Sequence, residues 1–254
     1  MRRSVVTVSV RSSSERGVTT LVLDSPHNRN ALSGQLMTEL EKGLGAAAAD
    51  ADTRAVLLSH TGNTFCAGAD LKEAGGAGGD PRALIRLMRT IVELPKPVVA
   101  RVTGHVRAGG LGLLGACDVA VAGEGASFAF TEARLGLAPA VISLPLLRRL
   151  DARSASRYFL TGERFGAAEA VRIGLVTVAA GEVDWALAPI LDGFRKASPQ
   201  GLTESKRLLT EAVLRDFDTE GNRLAELSGR LFASEEAREG VTAFLERRDA
   251  AWVR

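Results

Sequence analysis

Residues 64–70 read TFCAGAD, just downstream of RAVLLSH at 54–60. The second segment has the composition of a buried strand, so TFCAGAD is where the chain leaves it. It leaves through Cys66, Ala67, Gly68 and Ala69, residues with almost no side chains. A turn built this way exposes its amides, because no bulky Cβ substituent holds a second group away. The same economy recurs after the apolar stretch PVVARVTG (97–104), where Gly109 and Gly110 open the helix-like run LGLLGA. A helix start presents unpaired N–H groups and a positive dipole end. Two small-residue loops, each behind a strand, can aim two donors at one carbonyl oxygen, the arrangement of an oxyanion hole. Ala67 and Gly109 are the expected donors. Two ordinary tight turns are the alternative.

Working outward, GVTTLVLD (17–24) and VVTVSV (5–10) alternate as strands. Ser33 is placed to cap a helix through residue 50, with Leu36, Leu40 and Leu44 on one face. Asp80 and Pro81 form an N-cap and first-turn pair for a helix that ends before Pro95. DVAVAG (118–123) is a further strand. Strands alternate with helices to about residue 180, which argues an α/β fold with much of its sheet parallel. From Val183 onward the pattern is helical only, read as segments 183–198, 199–214, 220–234 and 235–248. Residues 1–182 are therefore expected to form the core and 183–254 a helical region packed on it or on a neighbouring subunit. No internal repeat is visible.

Composition narrows the classes. The chain has 254 residues, 46% hydrophobic, enough to bury a full core. Basic and acidic residues balance at 32 and 30, and no Lys/Arg run exceeds two, so nucleic acid is not an expected partner. No apolar stretch approaches the ~20 residues of a membrane span. The apolar part of the N-terminal MRRSVVTVSV alternates with Thr and Ser and reads as an edge strand rather than a leader. Two cysteines without CxxC spacing fit a reducing cytoplasm.

Gly110, Gly112 and Gly115 satisfy GxGxxG, the dinucleotide fingerprint. That motif needs its first glycine at the strand-to-helix turn. Here HVRAG intervenes between the strand and the pattern, which argues against a nucleotide fold.

The residues now assembled resemble the crotonase, or enoyl-CoA hydratase/isomerase, superfamily. The resemblance is carried by NALS (30–33), FCAGADLKE (65–73), GHVRAGGLGLLGACDVAVAGEGASFAFTEARLGLAP (104–139), LTGERFGAAEAVRIGLV (160–176) and REGVTAFLERR (238–248). It implies a crotonase-like spiral of ββα turns with a C-terminal helical trimerisation region. It also implies an acyl-CoA thioester as substrate, with no cofactor beyond that coenzyme A, and a homotrimer or dimer of trimers. By position, the amides of Ala67 and Gly109 would stabilise the thioester oxygen as an enolate forms. Gly68, Ala69, Asp70 and Gly110 would line the substrate.

Of the two carboxylates the family is expected to carry, the second falls on Glu132 and the first on Gly112, which can move no proton. Hydration by one glutamate and 3,2-enoyl isomerisation both remain open, as does a non-catalytic acyl-CoA carrier. Phe128, Phe130 and Leu135 flank Glu132 and would desolvate it, raising its pKa toward that of a useful base. His105 is expected to hydrogen-bond within its loop, with proton transfer as the alternative. Arg107 is expected to pair with an internal acid, a substrate carboxylate being the alternative. By resemblance, Arg29, Ala31, Lys72, Lys206, Phe244 and Arg247 are candidates to hold the CoA portion. The apolar stripe Leu224, Leu227, Leu231, Val241, Phe244 and Leu245 is expected to form the subunit interface. Cys66 lacks a neighbouring base and reads as packing.

Overall fold

A computed structural model describes residues 8–73 and 79–254. The elements in chain order are β1 (Val10–Glu15), β2 (Val18–Leu23), α1 (Gly34–Ala49), β3 (Ala55–His60), β4 (Thr64–Cys66) and α2 (Pro81–Glu93). Then come β5 (Val98–Val102), β6 (His105–Arg107), α3 (Gly109–Ala116), β7 (Val119–Gly123), β8 (Ser127–Ala129), α4 (Ser143–Leu146) and α5 (Ala152–Thr161). The chain closes with β9 (Phe165–Gly166), α6 (Ala167–Arg172), β10 (Val178–Ala180), α7 (Val183–Lys196), α8 (Pro199–Phe232) and α9 (Glu235–Glu246).

One sheet has the order β1-β2-β3-β5-β7-β10, antiparallel only between β1 and β2. A second, smaller sheet has the order β4-β6-β8-β9, parallel except for its last pair. The chain therefore steps repeatedly from a strand in the first sheet to a short strand in the second. β3-β4-α2 and β5-β6-α3 are two such ββα turns, and β7-β8 begins a third. This is the spiral the resemblance implied. Its repeat lies in backbone geometry rather than in residue identity, which is why the sequence hides it.

The helix starts form as their residues dictate. Ser33 Oγ accepts from Leu36 N at 3.2 Å, and Leu36, Leu40 and Leu44 are buried. Asp80 Oδ1 accepts from Arg82 N at 2.9 Å, with Pro81 in the first turn. Capping of this kind is worth about 1 kcal/mol each.

Three expectations need correction. The expected strand 5–10 begins outside the described residues, and the observed first strand is Val10–Glu15, where only Val10 is buried. Arg16 and Gly17 turn it at φ 48° and 76°, the left-handed pair that closes a tight hairpin. An exposed edge strand needs no apolar alternation, so its polar sequence gave no signal. The segments 199–214 and 220–234 are one continuous helix, α8, 34 residues and about 50 Å long. Its middle is held as helix by Phe217 and Gly221, which are buried. The stripe assigned to a subunit interface is largely consumed within the chain: Leu224 and Val241 are buried, and Leu227 packs on the core. Phe244 and Leu245 stay exposed, and the most exposed large apolar side chains lie elsewhere, at Leu160, Trp185, Leu208 and Leu209.

The helical region closes over the core. Val183 and Leu187 of α7 pack on Val99 and Val121 of the large sheet, while α8 runs along α2. Among the described residues, no helix is long and apolar enough to cross a membrane.

Candidate active site

Where β4 and β6 end, the two small-residue loops lie against each other. Gly68 has φ 90°, and a Cβ there would meet Ala108 Cβ at 2.9 Å and Gly109 N at 3.2 Å. A Cβ on Gly110 would strike Cys66 Cβ and the Cys66 carbonyl oxygen, each at 2.8 Å. Side chains at these positions would force the loops apart. Cys66 is buried beneath α3, and burial pushes its thiol up to about 12, so it packs rather than reacts.

The first expected donor is displaced. Ala67 N already donates to Arg29 O at 3.1 Å. That acceptor is held in place because Arg29 and Asn30 both adopt left-handed backbone (φ 59° and 53°). Asn30, fully buried, fixes the turn by accepting from Ser25 N and donating to the carbonyls of Thr61 and Thr64. Two residues on, Ala69 forms a parallel bridge with Leu32, in which Leu32 N donates to Gly68 O at 2.8 Å. The Ala69 N–H donates to no group among the described residues. Ala69 lines the cavity together with Gly109, the first residue of α3, whose N–H has no helical acceptor. The free pair is thus Ala69 and Gly109.

Ala108, between β6 and α3, has φ 45° and ψ −121°. That conformation costs a non-glycine residue on the order of 1–3 kcal/mol. Its N–H is anchored on Ala129 O at 3.2 Å, so the strained turn is fixed to β8, the strand that leads to Glu132.

Glu132 opens a short 3-10 turn (Glu132–Leu135) and is buried. Burial pushes its carboxyl up to about 7, opposed only by a backbone hydrogen bond. Its Oε2 has no hydrogen-bond partner among the described residues. A buried polar atom left unpaired costs about 1–3 kcal/mol. Such an atom on a cavity wall marks a group kept for a ligand or a proton.

The position of the expected first carboxylate is closed. A Cβ on Gly112 would lie 2.6 Å from Ile142 Cγ2 and 2.7 Å from Met88 Sδ. Apolar side chains fill that space. Gly110 and Gly115 also meet side chains, at Cys66 and Leu146, so the GxGxxG glycines serve helix packing.

A cavity of about 380 Å³ joins these features. Ala67, Ala69, Gly109 and Glu132 line it, with Leu135, Leu137, Val141 and Ile142 as an apolar wall. Of the other expected substrate contacts, Arg29, His105, Arg107 and Phe244 line it too. Gly68 and Gly110 support the loops from behind, and Ala31 is buried beside them. Asp70 is engaged locally, accepting from Asn28 Nδ2 at 3.1 Å and Lys72 N at 3.0 Å. Lys72 and Arg247 are exposed and line no part of the cavity.

Two cations differ from expectation. Lys206 is buried, with Nζ 2.8 Å from Asp118 Oδ2 and donating to the carbonyls of Ile91 and Lys96. It ties α8 to the core and is not free to meet a phosphate. Among the described residues Arg107 pairs with no acid; it donates to Val106 O, Ser127 O and Ser127 Oγ. His105 Nδ1 lies 2.9 Å from Ser127 Oγ, the loop hydrogen bond that was expected. Arg164, which also lines the cavity, was missed because a lone arginine before a two-residue strand carries no sequence signal.

The fold agrees with the comparisons. The family model for enoyl-CoA hydratase/isomerase matches residues 13–254. An enoyl-CoA hydratase from Mycobacterium avium has a crystal structure that superposes with a TM-score of 0.92 at 52% identity, over 98% of this chain and 100% of that one. An enoyl-CoA hydratase from Mycobacterium smegmatis superposes at 0.76 with 31% identity, over 96% and 98%. The short-chain-enoyl-CoA hydratase of Clostridium acetobutylicum is 29% identical over 92% of this chain and 93% of its own. The chain belongs to the enoyl-CoA hydratase/isomerase family.

Proposed function

We propose that the protein hydrates a 2-enoyl-CoA thioester with Glu132 as its only proton-transfer group. The observation that carries this reading is the unpaired Glu132 Oε2, on a carboxyl pushed up to about 7, on the same cavity as two free amides. The N–H groups of Ala69 and Gly109 would hold the thioester oxygen. Glu132 as carboxylate takes a proton from water while the water oxygen bonds to C3 and the π electrons move to the thioester oxygen. The resulting enolate collapses as Glu132, now protonated, delivers that proton to C2. A group near neutrality serves both steps because neither protonation state is strongly preferred. Each amide would contribute about 3 kcal/mol to the enolate-like transition state.

Gly112 favours a second reading, isomerisation of a 3-enoyl-CoA. There Glu132 removes a proton from C2 and returns it at C4, which needs no second acid. Incubation with 2-enoyl-CoA and separately with 3-enoyl-CoA tests the pair. Formation of 3-hydroxyacyl-CoA from the 2-enoyl compound supports hydration; conversion of 3-enoyl to 2-enoyl alone supports isomerisation. Loss of both with Glu132→Gln assigns the chemistry to that carboxyl, and an unchanged rate removes it.

A trimer or dimer of trimers is the proposed assembly, supported by the exposure of Trp185, Leu208 and Leu209. Light scattering should give a multiple of the 26.7 kDa chain; a monomer alone would sink it.

A further inference from the structure

Two guanidinium groups and an imidazole gather on the cavity wall. His105 and Arg107 lie on β6, Arg164 stands at the entry to β9, and Ser127 of β8 lies between these strands. Arg107 and His105 both hydrogen-bond to Ser127, at 2.8 Å and 2.9 Å. The exposed Arg164 side chain makes no hydrogen bond or ion pair among the described residues. The cations repel one another: burial holds Arg107 below the usual guanidinium range and Arg164 adds to it, while His105 is lowered by burial and by both arginines.

Among the described residues, no acid pairs with them. Of the two acidic residues on the cavity, Asp80 caps α2 and lies 3.7 Å from Arg86. Glu132 is raised by burial without any lowering from a cation, so the cluster does not neutralise it. Residues 1–7 and 74–78 contain no Asp or Glu. A half-buried guanidinium is ordinarily paired. Here half-buried Arg107 has only neutral hydrogen-bond acceptors and shares the cavity with the exposed Arg164 and His105, and that is the setting for a bound anion.

The strand direction says which part of a ligand would meet them. Arg107 ends β6 two residues before Gly109 opens α3, and Ser127 begins β8 five residues before Glu132, with Arg107 opposite Ala129. An acyl group held by its thioester oxygen at Gly109 and passing Glu132 would run back along these strands toward the cluster. We infer that the acyl group this enzyme accepts carries a carboxylate at its distal end, held by Arg107 and Arg164 with His105 beside them. This rests on the reading of the cavity as an acyl-thioester site. The specificity follows from charge: a terminal carboxylate accepts from both guanidinium groups, whereas a terminal methyl offers them nothing.

Equilibrium binding separates this from the reaction itself. Glutaryl-CoA and pentanoyl-CoA have five-carbon acyl groups that differ in a terminal carboxylate against a methyl, and neither has a double bond to turn over. Wild type should bind glutaryl-CoA about tenfold or more tightly than pentanoyl-CoA. Arg164→Gln should cut that preference severalfold and Arg107→Gln should abolish it, both leaving pentanoyl-CoA and free CoA binding unchanged. Arg164 has no partner to lose, so its variant will fold even if Arg107→Gln does not. Equal binding of the two thioesters overturns the inference and spares the acyl-CoA reading. A preference that survives both variants also overturns it. Equal weakening of free CoA would assign the cations to its phosphates instead. If neither thioester binds, the acyl-CoA reading falls and takes the inference with it.

Discussion

The backbone N–H of Ala67 donates to the carbonyl of Arg29 at 3.1 Å, which leaves the amide of Ala69 as the free donor beside Gly109. Proline at either position deletes one N–H, with different consequences. Ala69→Pro should lower kcat at least ~100-fold in a protein that still melts cooperatively. Ala67→Pro should instead lower stability by about 1–3 kcal/mol, through the unpaired Arg29 carbonyl. Paired melting curves and turnover measurements check this. The reverse pattern would return the donor role to Ala67.

The pH dependence follows from Glu132. Its carboxyl, ordinarily near 4.5, lies at about 7 in the fold. The rate should therefore climb with pH through about 7 and level above it, since the carboxylate is the active form. A rate that is flat between about pH 5.5 and 8 would exclude a Glu132 base.

The same shift has a stability consequence. Between 4.5 and about 7 the folded state holds a proton that the unfolded chain has released, so stability falls as pH rises through that window. Glu132→Gln removes the loss. Denaturant titrations should find the variant more stable than wild type at about pH 8, by up to ~3 kcal/mol, with the gap closing toward pH 4.5.

Lys206 and Asp118 form a pair with little solvent access. Lys206→Ala strands the carboxylate in the interior, and unfolding free energy should drop by about 3–5 kcal/mol. Where the variant folds, its KM for acyl-CoA should match wild type. A raised KM with unchanged stability would restore Lys206 to the ligand.

Gly112→Ala tests whether the missing carboxylate left any room. In an open helix the change would stabilise by up to about 1 kcal/mol. Against Ile142 and Met88 it should destabilise by about 1–3 kcal/mol in urea unfolding. A neutral or stabilising result would mean the space can still accept a side chain.

What the sequence determined by itself was local. Ser33, Asp80 and Pro81 place helix starts through bonds to residues within a turn, and alternating apolar strands announce an α/β fold. TFCAGAD and the Gly109–Gly110 loop could be recognised as bare surfaces because small residues are bare in any context. Glu132 could be singled out by its place in the family pattern, and its flanking Phe128, Phe130 and Leu135 argued that it is desolvated. Tertiary structure decided what depends on distant partners. Which amide of TFCAGAD is free rests on where the Arg29 carbonyl lies, and that is set by Asn30 reaching Thr61 and Thr64. Whether Lys206 meets a ligand or the core rests on Asp118, far away in the chain. The convergence of His105, Arg107 and Arg164 arises from the pairing of β6, β8 and β9. A hydrogen bond fixed by one turn is written in neighbouring residues; one fixed by the meeting of strands exists only once the chain has folded.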